Sequence, residues 1–181
     1  MTKLPFDEIT DLAREQITQE ILDELTDENL DEFEDEIEDL IIMAYALGWG
    51  LFLNEYDEQR ALNQNSLTEA LQTKIEGKTY KEYLDPHIEE KDLEGIYRVI
   101  DTTVHQMYVM AQDDCAKECG YNTKTWRTME DDKVREAHVF LDKVKIPIDE
   151  KFYAGDDGAL MPGGFSAPEL NVSCRCLLSY E

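Results

Sequence analysis

A chain of 181 residues, 42% of them hydrophobic, has enough apolar material to bury a core without covalent staples, as one domain or as a small domain with a helical extension. Its net charge of −25 argues against direct binding to duplex DNA, which depends on Lys and Arg neutralising phosphates, and against an anionic membrane surface. The apolar run of about 18 residues that a membrane helix needs is missing, as is the basic-then-apolar start of a secretion signal, so a protein made in the cytosol with no membrane partner is expected.

Residues 1–25 place Ile9, Leu12, Ala13, Ile17, Ile21 and Leu25 at near-helical spacing behind Pro5, which predicts a helix. Thr26 or Asp27 is placed to cap a second helix, where Leu30, Phe33, Ile37, Leu40, Ala44, Leu47 and Leu51 alternate spacings of three and four in an a/d seam. That seam either closes on residues 6–25 as a hairpin or meets a partner helix in an assembly. Asp and Glu crowd residues 1–40, where Lys3 and Arg14 are the only bases. Such a surface fits docking on a basic protein or imitation of DNA, and it equally fits a face that stays solvated.

Residues 54–66 are polar and form the best linker candidate. Ser66-x-x-Glu69 is a capping-box pattern opening a short helix with Leu67, Leu71 and Ile75, and Gly77 is placed to end it. Thr79-x-x-Glu82 starts another turn, and Asp85–Pro86 punctuates the chain again. A long helix is predicted from about Lys91 to Glu118, with Ile96, Ile100, Val104, Met107, Tyr108, Ala111 and Cys115 as its buried stripe and Gly120 as its stop. Beyond it, Lys124–Thr128 reads as a strand with Trp126 inward. Asp131–Leu141 reads as a short amphipathic helix. Val144–Ile148 reads as a strand that Pro147 confines to an edge, followed by a loop holding Gly155, Gly158, Gly163 and Gly164. The fold class expected is α+β, with a mainly helical N-terminal two-thirds and a small, loop-rich C-terminal α+β subdomain containing a short antiparallel sheet. The expected organisation is 1–60 as an acidic helical hairpin for adaptor or assembly work, 61–90 as connecting short helices, and 91–181 as the long helix with the C-terminal subdomain.

Reactive residue types gather in the last third. Four cysteines in a chain without a secretion signal favour reduced thiols or a metal over a disulfide framework. In an extended strand the thiols of Cys174-x-Cys176 share a face, about 6.5–7 Å apart. His138 is the only histidine in this part of the chain, and Asp131 lies two helical turns before it if the segment is helical throughout. Thiolates, imidazole and carboxylate make His138, Cys174, Cys176 and Asp131 a candidate zinc set, to which Cys115 and Cys119, i and i+4 on the long helix, could contribute. The spacing is that of no standard finger or ribbon, and all four cysteines equally suit small core positions. No cofactor is demanded by the pattern, and zinc is the one candidate. His138 and Arg135 also fit a buried hydrogen-bond network pinning a subdomain with few regular ladders. Enzyme templates are missing: there is no G-x-S-x-G, no H-E-x-x-H, no phosphate loop and no dinucleotide fingerprint, and a Cys–His pair would lack a third orienting group. No enzyme is expected.

The order Trp126-x4-Asp131-x2-Val134-Arg135-x2-His138, then Leu141–Asp142, Ile146-Pro147-Ile148, Phe152, Gly158, Pro162–Gly163–Gly164 and Cys174–Arg175–Cys176 resembles the phage Mu protein F-like family of minor head and head-morphogenesis proteins. The resemblance covers about residues 92–178 and makes Trp126, Asp131, Arg135, His138, Cys174, Arg175 and Cys176 its structural motif. Three positions depart from the family pattern: Val99-Ile100-Asp101 stands where Arg-Thr-Glu is usual, Ser173 where Asn is usual, and Lys143 where Gly is usual. The resemblance implies a protein made in a bacterial host's cytoplasm and present in few copies in the procapsid interior or virion. It would associate with the portal or other head proteins, help head assembly and influence DNA packaging or ejection. The same domain also serves as the trafficking part of phage-borne toxins, and with the chain stopping shortly after Cys176 no appended toxin domain is expected. The N-terminal 90 residues lie outside the motif and would choose the partner. Two other readings stay open: a zinc- or Cys-dependent effector enzyme, and an acidic, DNA-mimicking regulator of prophage origin.

Overall fold

The computed structural model describes residues 3–181. In chain order the elements are α1 (Asp7–Gln16), α2 (Gln19–Asp23), α3 (Leu30–Glu55), α4 (Gln64–Leu71), α5 (Tyr80–Glu89), α6 (Leu93–Cys119), β1 (Thr123–Arg127), α7 (Glu136–Val139), β2 (Lys145–Pro147), β3 (Phe152–Ala154), β4 (Asp157–Ala159), α8 (Pro168–Asn171) and β5 (Leu177–Tyr180). The protein is α+β, helical through its first two-thirds, with a three-stranded antiparallel sheet of order β2-β1-β5 and a β3-β4 hairpin near the C-terminus.

Helix α6 is the axis. It forms where the long helix is expected, opened by Asp92, whose side chain accepts the Gly95 N–H, and closed by Gly120 at φ 85°. All of the predicted stripe from Ile96 to Cys115 is buried. Against it lie α1, α3, α4, α5 and β5. The α3 seam holds from Phe33 through Ile37 and Leu40 to Ala44, then drifts: Gly48 and Phe52 are buried where Leu47 and Leu51 were expected. A straight helix turns every 3.6 residues, so a strict 3.5-residue seam slips around it unless the helices supercoil. At the end of α3 the rings of Phe52, Tyr56, Tyr121 and Tyr180 meet, and the Tyr180 N–H donates to the Tyr56 hydroxyl at 2.9 Å. That cluster joins the helical part to the sheet.

Several boundaries differ from expectation, each for a local reason. The first helix breaks into α1 and α2 because Thr18 is extended and its hydroxyl accepts the Ile21 N–H, capping α2. Neither Thr26 nor Asp27 caps α3. Instead the N–H and hydroxyl of Thr26 both donate to Asn29 Oδ1, at 2.7 and 3.1 Å, and close a turn ahead of the helix. Asn63, not Ser66, caps α4 by accepting the N–H groups of Asn65 and Ser66. Pro86 lies inside α5 rather than interrupting it; α5 begins with the full Thr79–Glu82 capping box. Gly77, expected to end α4, instead sits at φ 81° in the Ile75–Lys78 turn. Of Asp131–Leu141 only α7 is helical, because Arg135 is extended (φ −61°, ψ 144°) and Asp131 uses its side chain to close a turn on Lys133 N–H. The β3-β4 hairpin replaces part of the expected loop, with Gly155 at φ 68° in its turn. Strands β1 and β2 form as expected, with Trp126 fully buried and β2 on the sheet edge.

Candidate functional site

Trp126 on β1 is the floor of the C-terminal subdomain. Its ring meets those of His138, Phe152 and Phe165 at centroid distances of 5.5, 5.1 and 5.9 Å. Phe165 comes over His138 in near-parallel fashion, at 5.7 Å and 27°. The segment that carries Phe165 is irregular, and buried Asn171 holds it: Oδ1 accepts the Phe165 N–H at 3.1 Å and Nδ2 donates to the Phe165 carbonyl at 2.7 Å. Side-chain bonds to backbone do here what ladders do in a sheet.

Into this aromatic box the chain sends His138 from α7 and both cysteines from the turn before β5. Cys174 and Cys176 are not in a strand; left-handed Ser173 (φ 55°) turns the chain so that both sulfurs face the same imidazole atom. Cys174 Sγ is 3.7 Å and Cys176 Sγ 3.6 Å from His138 Nδ1. The donor atoms of these three residues all lie within 4.8 Å of one another, and all three residues are buried. A hydrogen bond from the Cys176 thiol, with a further one from His138, holds Cys174 well below the ordinary thiol range; Cys176, which gives that hydrogen bond and is buried, is pushed up.

Asp131 is not brought to the trio. Its carboxylate takes a two-bonded contact from Arg175, with Nη1 to Oδ2 at 2.8 Å and Nη2 to Oδ1 at 2.7 Å, and that hydrogen bonding lowers its pKa. The helical face that would have carried Asp131 toward His138 does not form. Arg135 donates to the Val172 carbonyl, tying α7 to the segment that leads into the cysteines. Cys115 and Cys119 stay on α6, outside the trio. So Trp126, His138, Cys174 and Cys176 make the buried centre, while Asp131, Arg135 and Arg175 hold its outer edge.

Phe165, Asn171 and His105 were not anticipated. His105 on α6 contacts the Cys176 carbonyl through Nε2 at 2.8 Å, and the long helix thereby touches the cysteine turn. A polar residue directly after Val104 of the buried stripe is the signal that could have flagged it. A separate groove of about 350 Å³ runs between α5, α6 and α8; Lys78, His87 and Arg98 line it and no acidic residue does.

Residues 61–179 match the family model described as Phage Mu protein F like protein. The match begins upstream of the motif and takes in α4 and α5. No curated protein and no solved structure matches the chain.

Proposed function

The chain belongs to the phage Mu protein F like family, and from that premise we propose that it is a non-enzymatic minor head protein that works in head morphogenesis, inside the procapsid and against the portal. The observation that carries this reading is the family match across residues 61–179, together with the way the motif residues close on one another. His138 is 1% exposed and the two cysteines 4% each, so the reactive groups are shut in rather than offered to a substrate. That supports a structural module over an effector enzyme.

The partner surface in this reading is the outer face of α3. Asp31, Glu32, Asp35, Glu36 and Asp39 are all exposed there, opposite the buried Phe33, Ile37 and Leu40. A row of carboxylates on a rigid helix steers a basic surface into place and fixes its register more than it adds raw affinity. Glu38 is excluded from this role, since it accepts a hydrogen bond from the Tyr80 hydroxyl and pairs with Lys81.

The test is co-purification. Removing residues 1–60 would strip α1 and α3 from α6 and open the core, so surface substitutions are the right tool. A tagged chain co-produced with the head proteins of its own phage should bring down the portal. The variant Asp31→Asn, Asp35→Asn, Glu36→Gln, Asp39→Asn should lose most of it while melting as the parent does. Undiminished recovery of the portal by a folded variant would remove the acidic face from the account.

A further inference from the structure

We propose that Cys174, Cys176 and His138 bind one zinc ion, with a water molecule completing a tetrahedral site.

In tetrahedral zinc the metal–sulfur and metal–nitrogen bonds are about 2.3 and 2.0–2.1 Å, which puts each sulfur about 3.5–3.6 Å from the nitrogen. The separations here are 3.6 and 3.7 Å. Nδ1 of an imidazole has either one hydrogen or one lone pair in the ring plane, so it can serve one of two thiols in a hydrogen bond, not both. A cation between them satisfies all three donors together. The aromatic contacts of His138 fix its ring plane, and the left-handed turn at Ser173 fixes the cysteines, so the donor set is assembled before any ion arrives.

Next to two of the three ligands there is room for that water. Beside His138 and Cys176 lies a cavity of about 10 Å³, also lined by Val134, Arg135, Ser173 and Arg175. That is about the room one water needs. Two thiolates and an imidazole in a tetrahedral arrangement select zinc over harder cations, which take oxygen ligands. Binding releases protons from the thiols, and the ion then links α7 to the turn before β5 across 36 and 38 residues of chain. In a subdomain whose strands are three to five residues long, such a link does the work of a second core.

Metal analysis of the whole protein, produced in zinc-supplemented medium and gel-filtered, should find one zinc per chain. The Cys174→Ser, Cys176→Ser double variant should fall to background, and the Cys115→Ser, Cys119→Ser variant should keep its zinc. If the first double variant fails to fold, cobalt(II) exchanged into the parent decides: intense tetrahedral visible bands with a thiolate-to-cobalt charge-transfer band support the site. Folded parent protein with no zinc and no such cobalt spectrum overturns the proposal. So does zinc that survives in the Cys174→Ser, Cys176→Ser variant, or that is lost with Cys115 and Cys119.

Discussion

Gly48 on α3 faces the backbone carbonyl of Tyr108 on α6 with no room for a side chain between them. A Cβ added there would collide with that carbonyl and stand 3.1 Å from the Ala111 Cβ. Two residues on, Gly50 meets nothing within 4 Å. The two helical glycines should therefore respond oppositely to alanine. Gly48→Ala should cost about 1–3 kcal/mol through overpacking of the α3–α6 contact. Gly50→Ala, exposed and in the same helix, should gain up to about 1 kcal/mol from propensity alone. Urea unfolding of both variants checks the pair; equal responses would mean that α3 and α6 do not approach this closely.

Trp126 carries the C-terminal core. Its ring is fully buried among His138, Phe152 and Phe165. Trp126→Ala should lower stability by about 3–5 kcal/mol, as other large aromatic truncations do. Denaturant midpoints compared at constant m value give the number.

Two departures from the family pattern coincide with two left-handed backbone positions. Lys143, where Gly is usual, has φ 64°, and Ser173, where Asn is usual, has φ 55°. A side chain in that region costs about 1–2 kcal/mol, and Gly avoids the cost while giving back about 0.5–1 kcal/mol of unfolded-chain entropy. Lys143→Gly should therefore stabilise by up to about 1 kcal/mol, less what the Lys143–Glu130 and Lys143–Asp142 ion pairs contribute. Ser173→Asn should also raise the melting temperature, since Asn tolerates this region better than Ser. Calorimetry on the two variants decides, and a lower melting temperature for Lys143→Gly would contradict the backbone argument.

The Asp131–Arg175 pair should show itself in pH dependence. Hydrogen bonding from Arg175 lowers the Asp131 pKa in the folded state, so the pair's stabilisation is present above the unfolded carboxylate value, near pH 3.9, and is lost as pH falls through the lowered folded value. Parent protein should melt above Asp131→Asn at neutral pH, and the gap should close in acid. A gap that persists unchanged well below that range would assign the effect of the substitution to something other than charge.

What the sequence made legible here follows from period and chemistry. The 3.6-residue stripe of α6, its Gly120 stop and the Thr79–Glu82 capping box could all be read directly, because each signal lies within a turn or two of chain. The Trp126 strand could be read from its alternation and the edge strand from Pro147. The drift of the α3 seam toward Gly48 and Phe52 could not, because it depends on where α6 lies in space. Nor could the fate of Asp131, which the helical spacing sent toward His138 and which a two-bonded Arg175 claims from 44 residues away. The burial of Lys124 and Asp113, 3.7 Å apart, could not be read for the same reason. The trio of His138, Cys174 and Cys176 was visible as residue types; its convergence on one ring nitrogen required the left-handed turn at Ser173.

Quantitative mass spectrometry of procapsids and filled heads, purified from cells producing the phage that carries this chain, tests whether it is a head protein. The chain should appear in the procapsid fraction, in few copies and co-purifying with the portal. Its absence from both particle fractions, with the intact chain abundant in the particle-free lysate, would contradict that role.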